Sequence, residues 1–268
     1  MMPAQMAIAR IRRDLLLGAL LNATLLAGVF VCVLIGGAIE NAYGDVALLM
    51  LLGLVWITLG YRSMKGSRLA AGSPSLIAAG QFDQAETQID QALRSFSLFR
   101  TSKLLSLHHL ALLRHAQKRW EDSAELCRAL LKQRLGGLKG LSRQSRLILA
   151  DSLLELGDLR GSYESISALY QERLSLGEAM RLLAVQLDYC WRVNAWEKML
   201  EGVQSKVQLA ELMNTPAAAR TQALLALAAR RLGKTEWEIW LRRRVELLVD
   251  VRALVQDRPV LRELWPSD

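Results

Sequence analysis

The sequence predicts an all-α protein in which an N-terminal transmembrane helical hairpin is followed by an α-solenoid of about four to five helical pairs. Three observations predict it. Two long apolar runs with basic flanks fill most of the first 61 residues. Beyond them no stretch alternates with period two; apolar side chains recur at helical spacing instead. That helical pattern itself returns at intervals of 37 to 39 residues, which marks a chain of stacked helix pairs.

The first run, Leu15 to Ile39, carries no charge. At about 1.5 Å per residue it exceeds the ~30 Å hydrocarbon core of a bilayer. The second, Ala42 to Tyr61, is of about minimum length, with Asp45 near one end and Trp56 and Tyr61 near the other. Arg10, Arg12 and Arg13 before the first run suggest a cleaved secretory signal as the alternative. A signal's apolar stretch is only about 7 to 15 residues, so this longer one reads as a retained anchor.

Arg10, Arg12 and Arg13 precede the first span and Arg62, Lys65 and Arg68 follow the second, while the connector "ENAYGD" has only Glu40 and Asp45. Basic residues stay inside, so both termini are expected in the cytoplasm. Ala19, Ala23 and Ala27 recur every fourth residue with Asn22 among them, a small-residue stripe that admits a close partner helix. The partner is the second span, through Gly53 and Gly60, or a helix of another protein.

Cys32, Cys127 and Cys190 have no CxxC spacing, which suits a reducing compartment. The first 61 residues are balanced in charge, so the net +8 belongs to the remainder. A basic domain tethered to a membrane is drawn to anionic lipid. Nucleic acid is not expected as a partner, because no aromatic platforms interleave with the basic residues.

Residues 1–13 thus read as a basic cytoplasmic N-terminus, 14–61 as two spans, 62–73 as a linker rich in Gly, Ser and Pro, 74–255 as the solenoid and 256–268 as a tail. The solenoid's helical pattern is clear in Ala85, Ile89, Ala92, Leu93 and Phe96, with Asp83, Glu86, Asp90 and Arg94 opposite. The segments 78–93, 115–130, 154–169 and 191–206 align on a turn at Gly80, Lys118, Gly157 or Asn194. Two residues later stands Phe82, Trp120, Leu159 or Trp196; five later Ala85, Ser123, Ser162 or Met199; nine later Ile89, Cys127, Ile166 or Val203.

This pattern resembles the tetratricopeptide repeat (TPR), in which two antiparallel helices meet at such a turn. The likeness covers roughly residues 74–247. The family's small residue seven positions before the turn is matched by Ser73, Ala111 and Ala150, but Leu187 stands there in the fourth unit. The period is longer than the usual ~34 and the closing proline is missing, so a generic array of helical hairpins is the alternative.

Gly233-Lys234-Thr235 has the ending of a phosphate-binding loop, but the required glycine five residues earlier is Ala228, inside a helical stretch. These residues fall instead where a fifth turn is due, with Ala226 at the small position before it. The core of that fifth unit is irregular: Thr235, Glu238 and Arg242 occupy the expected positions, and a shift of two brings in Trp237 and Trp240. Leu261, Leu264 and Trp265 favour a tail that packs back as a cap over a short linear motif.

No constellation of nucleophile, base or paired carboxylates is evident, and an enzyme is not expected. His108 and His115 lie two helical turns apart with His109 turned away, too far to share a metal, so no metal or other cofactor is expected. In TPR proteins ligands touch the first helix of each pair, two, three, six and ten residues before the turn. The resemblance therefore implies a protein-binding groove of His108, His115, Asp151, Glu155, Asp188, Trp191, Arg192, Arg230 and Arg231.

Two spans followed by TPR-like repeats are similar to the HemY-type bacterial inner-membrane proteins, with "NAWEKML" the closest local stretch. That likeness implies the bacterial inner membrane and a link to haem biosynthesis, although the connector here is shorter. Lipopolysaccharide assembly protein B is also similar in architecture, but its CxxC knuckle is absent. The function expected is a membrane-anchored scaffold or adaptor that holds a protein partner in its groove and supports assembly of a membrane complex. The alternative is a structural subunit that contacts its partners through the hairpin.

Overall fold

A computed structural model describes residues 3–36, 42–95, 97, 99–133, 135 and 137–266, with all their side chains except those of 32–36, 42–49, 65–67 and 69. Glu40 and Phe96 lie outside the described residues, as do the side chains of Cys32 and Asp45. Among the described residues every regular element is a helix. The chain divides into two compact units, Met1–Ser152 and Leu153–Asp268.

The first unit holds α1 (Ala4–Gly36), α2 (Ala42–Leu69), α3 (Ser73–Ala78), α4 (Phe82–Arg94), α5 (Arg100–Ala116), α6 (Trp120–Leu131) and most of α7 (Lys139–Glu155). The second holds α8 (Leu159–Leu169), α9 (Leu176–Arg192), α10 (Trp196–Leu200), α11 (Val203–Glu211), α12 (Thr215–Arg231), α13 (Thr235–Leu248) and α14 (Val251–Asp257), then a 3-10 turn, Pro259–Glu263.

All five expected turns are left-handed at one residue: Gly80 (φ +74°), Lys118 (+59°), Gly157 (+79°), Asn194 (+56°) and Gly233 (+66°). At each, the amide of the next residue bonds back to a carbonyl five residues earlier, as Arg119 does to Arg114 at 2.8 Å and Lys234 to Ala229 at 2.8 Å. These are Schellman closures, which satisfy carbonyls the helix end leaves orphaned. The left-handed region costs an L-residue about 1–2 kcal/mol, which explains glycine at three of the five. Gly233-Lys234-Thr235 is therefore a helix-to-helix turn, and Ala228 lies within α12.

Inside each pair the small positions carry the close approach. Ser73, Ala111, Ala150, Leu187 and Ala226 before the turns are all buried, as are Ala85, Ser123, Ser162 and Met199 after them. Two sequence readings need correction. In the fourth pair the helix breaks at the left-handed Gly202, so Val203 is only half-buried and Val207 and Ala210 fill the core. In the fifth, α13 turns Leu241 and Val245 inward; Trp237 packs on the core edge, but Trp240 remains 42% exposed. Its ring lies edge-on to Trp237 at 5.5 Å, with the Arg244 guanidinium 4.7 Å from its centre.

The N-terminal thirteen residues and the expected linker also differ from the sequence reading. Helix α1 begins at Ala4, and Ala4, Ala7 and Ile11 are buried where α1 packs against α4, α5 and α6. Their spacing of three and four residues gives one apolar stripe on an otherwise basic segment. Helix α2 runs on to Leu69 through the presumed linker. Its end is pinned by a buried hydrogen bond of 2.7 Å between the Ser63 and Ser97 hydroxyls. Just beyond it the Ala70 carbonyl accepts from Ser73 Oγ at 2.7 Å and His109 Nδ1 at 3.0 Å.

Past these docked turns α1 is bare. Leu16, Leu17, Leu20, Leu26 and Phe30 on α1 and Met50, Leu54, Ile57 and Tyr61 on α2 are exposed. Ala4–Val31 is long and apolar enough to cross a membrane by length and composition; on α2 the apolar stretch Met50–Met64 is shorter. Helices α1 and α2 pack together, with Gly28 facing Leu52 closely enough that an added Cβ would touch it at 3.8 Å.

Candidate functional site

The residues expected to line a groove are mostly engaged with one another. In the first unit His108 is buried, with Nδ1 2.9 Å from Ser145 Oγ. His115 Nε2 lies 2.8 Å from Asp151 Oδ2, and its ring is edge-on to Trp120 at 5.1 Å. His109, expected to turn away, is buried beside Ser73 and Ala70, and burial lowers its pKa against the opposing pull of the Ala70 carbonyl. Each bond joins residues 36 to 39 apart, so one repeat is tied to the next at the sequence period.

In the second unit a carboxylate sits at the centre of a cationic network. Asp188 is 2% exposed and receives Arg220, Arg258 at 3.5 Å and the Trp191 indole Nε1–H at 3.3 Å. Glu155 accepts from Arg192 at 2.7 Å and lies 3.5 Å from Arg258, while Arg192 also reaches the Leu154 carbonyl. The Arg192 guanidinium stands 5.4 Å from the Trp191 ring centre. A carboxylate this buried is tolerable only when its lone pairs are filled, and three donors do so.

Arg220 and Arg258 were not foreseen. Arg220 lies 32 residues after Asp188 on α12, close to the repeat spacing, and that offset was the available signal. Arg258 follows α14, where no repeat pattern leads to it.

Arg230 and Arg231 do not join the network. Arg230 lies 3.7 Å from Glu238, and Arg231 pairs with Glu263 while its guanidinium sits 5.7 Å from the Trp196 ring. Arg231 thereby holds the tail, whose Leu261 and Leu264 are buried in the core of the second unit. Beside the network an open cavity of 540 Å³ is lined by Ala184, Pro216, Ala217, Leu224, Val249 and Leu254, with Arg220 and Asp257 among its polar residues.

The expected hairpin contacts also differ. Ala19, Ala23 and Ala27 are exposed, and Gly53 and Gly60 have no other atom within 4 Å of an added Cβ. It is Gly28 that meets α2, because the alanine stripe lies on another side of α1. Asn22 is half-buried beside Ala19 and Gly18.

Among the described residues no three His, Cys, Asp or Glu side chains are grouped to hold a metal ion. Cys127 is fully buried, and burial pushes its thiol up to about 12 against the opposing hydrogen bond with Ser123. No family model, curated protein or solved structure matches this chain. What the coordinates define is an all-helical protein with one N-terminal helix apolar and long enough to cross a membrane.

Proposed function

We propose that the chain is a membrane-anchored scaffold: α1 and α2 cross the bilayer as a hairpin, and a TPR-like solenoid at the cytoplasmic face, of a bacterial inner membrane, binds a protein partner and supports assembly of a membrane complex. The observation that carries the reading is the bare apolar surface of α1 and α2 directly beyond the docked N-terminal turns. A soluble helix hides such a surface. Residues 15 to 36 of α1 extend about 33 Å at the helical rise, enough for a hydrocarbon core of ~30 Å. The five equal left-handed turns support the solenoid. The cavity in front of α12 and α14, with arginine and carboxylate at its edge, is the surface this reading assigns to a charged helix or peptide.

A second reading, a structural subunit that contacts partners through the hairpin, is favoured by the exposure of Ala19, Ala23 and Ala27. Small residues facing lipid leave room for a neighbouring helix.

Both readings are tested on the full chain in its native membrane. Resistance to alkaline carbonate extraction is expected, and release by carbonate overturns the anchor. Partners are then compared for Ala217→Trp, which fills the cavity, and Ala23→Leu, which bulks the stripe. A partner lost only from Ala217→Trp supports the scaffold; one lost only from Ala23→Leu supports the structural subunit.

A further inference from the structure

A second open cavity of 540 Å³ lies where α1 leaves its docked turns and becomes bare, between α1 and the segment that leads into α5. Its polar end is formed by Arg12, Arg100 and Gln133, its apolar end by Leu15, Leu16 and Ala19. Both arginines are exposed; Arg100 donates to Gln133 Oε1 at 3.3 Å, and no carboxylate pairs with either among the described residues. The one acidic side chain in the lining, Asp14, has its charge met by the buried Lys103, whose Nζ is 3.0 Å from Oδ2. Arg13 stands 3.8 Å from its other oxygen. The polar end is therefore cationic, with two guanidinium forks available.

We propose that this cavity is a binding site for an anionic phospholipid, with the headgroup phosphate between Arg12 and Arg100 and the start of an acyl chain along Leu15, Leu16 and Ala19. Guanidinium groups bind phosphate oxygens in a bidentate manner, which a lone exposed lysine does not reproduce. Cationic pockets at the cytoplasmic end of a membrane helix are where anionic headgroups collect. The cavity changes from charged to apolar along α1 in the same direction as the helix surface beyond it, where Leu16 and Leu20 are bare. Free phosphate would use the arginines but leave the apolar end empty. Ser97, which lines the same cavity, is tied to α2 through Ser63, so the site is held by both helices of the anchor.

The site rests on the membrane reading of α1, and the experiment separates the two. The full chain is placed in nanodiscs of equal phosphatidylglycerol and phosphatidylcholine, and lipids retained on release are counted by native mass spectrometry. Phosphatidylglycerol is expected to be retained in preference. In R12A/R100A its retention should fall about tenfold, with helicity unchanged. Ala19→Phe, which keeps every charge but fills the apolar end, should lose it as well. Retention unchanged in R12A/R100A overturns the site, and loss there but not in Ala19→Phe reduces it to surface charge and overturns it too. Displacement by millimolar inorganic phosphate assigns the arginines to free phosphate instead of lipid. Failure of the chain to enter the nanodisc overturns the membrane reading and the lipid site with it, whereas entry without arginine-dependent retention overturns the site alone.

Discussion

Lys103 of α5 reaches Asp14 of α1 across 3.0 Å, with its side chain only 2% exposed, and also donates to the Leu93 carbonyl at 2.7 Å and to that of Ser95. Burial lowers the Lys103 pKa while Asp14 raises it, and the lowering is the larger effect. One ammonium thus satisfies the end of α4 and locks the apolar helix to the first helix pairs.

Removing Lys103 leaves Asp14 and two carbonyls without their donor. Loss of one partner of a buried pair costs about 3–5 kcal/mol, so Lys103→Ala is expected to lower unfolding stability in detergent by that order. A loss of less than about 1 kcal/mol, the range of a surface pair, would show that the contact is solvated.

Acid should weaken the first unit through Glu86. Its carboxyl is desolvated, but hydrogen bonding and charge from the fully buried Arg114, at 2.9 Å, outweigh that and hold it below its ordinary value of 4.5. A carboxylate with a depressed folded-state pKa adds stability that is present above the unfolded value and lost as pH falls through the folded one. Stability measured against pH should therefore drop below 4.5, and Glu86→Gln should flatten that limb while costing about 2 kcal/mol at neutral pH. An acid limb of unchanged steepness in the variant would remove Glu86 from the explanation.

Asp188 joins α9 to α12 and, through Arg258, to the residue after α14. Asp188→Asn leaves two guanidinium groups short of their charge partner. The expected result is a loss of about 3 kcal/mol and faster hydrogen exchange in residues 251–266. Arg258→Ala should speed exchange in that segment while sparing α9 and α12; equal protection in both variants would mean that Leu261 and Leu264 hold the tail unaided.

Cys127 and Cys190 are buried, and burial raises both thiols, Cys127 to about 12. Reactivity follows the thiolate. In a Cys32→Ser background neither should react with a maleimide at neutral pH until the protein unfolds, when both should. Prompt reaction of the native chain would show that the helix pairs open readily.

The features legible in the sequence are the local ones. A left-handed turn with its five-residue back-bond spans only six residues, so Gly80, Gly157, Asn194 and Gly233 announce it, and the small residues seven before and five after follow from how closely two helices cross there. The periodicity alone reached even Lys118, an unusual residue for that conformation. What tertiary structure decided is where long-range partners settle each side chain. Repeat alignment brought Trp240 inward, but rotation of α13 chose Leu241 and Val245. A groove of free charges became, at Asp188 and Glu155, a buried network, because desolvating a carboxylate demands cations and Arg220 and Arg258 come from distant helices. The basic start of the chain became a docked helix for the same reason: Ala4, Ala7 and Ile11 are too sparse a stripe to read alone and acquire meaning only against the surface that α4, α5 and α6 create.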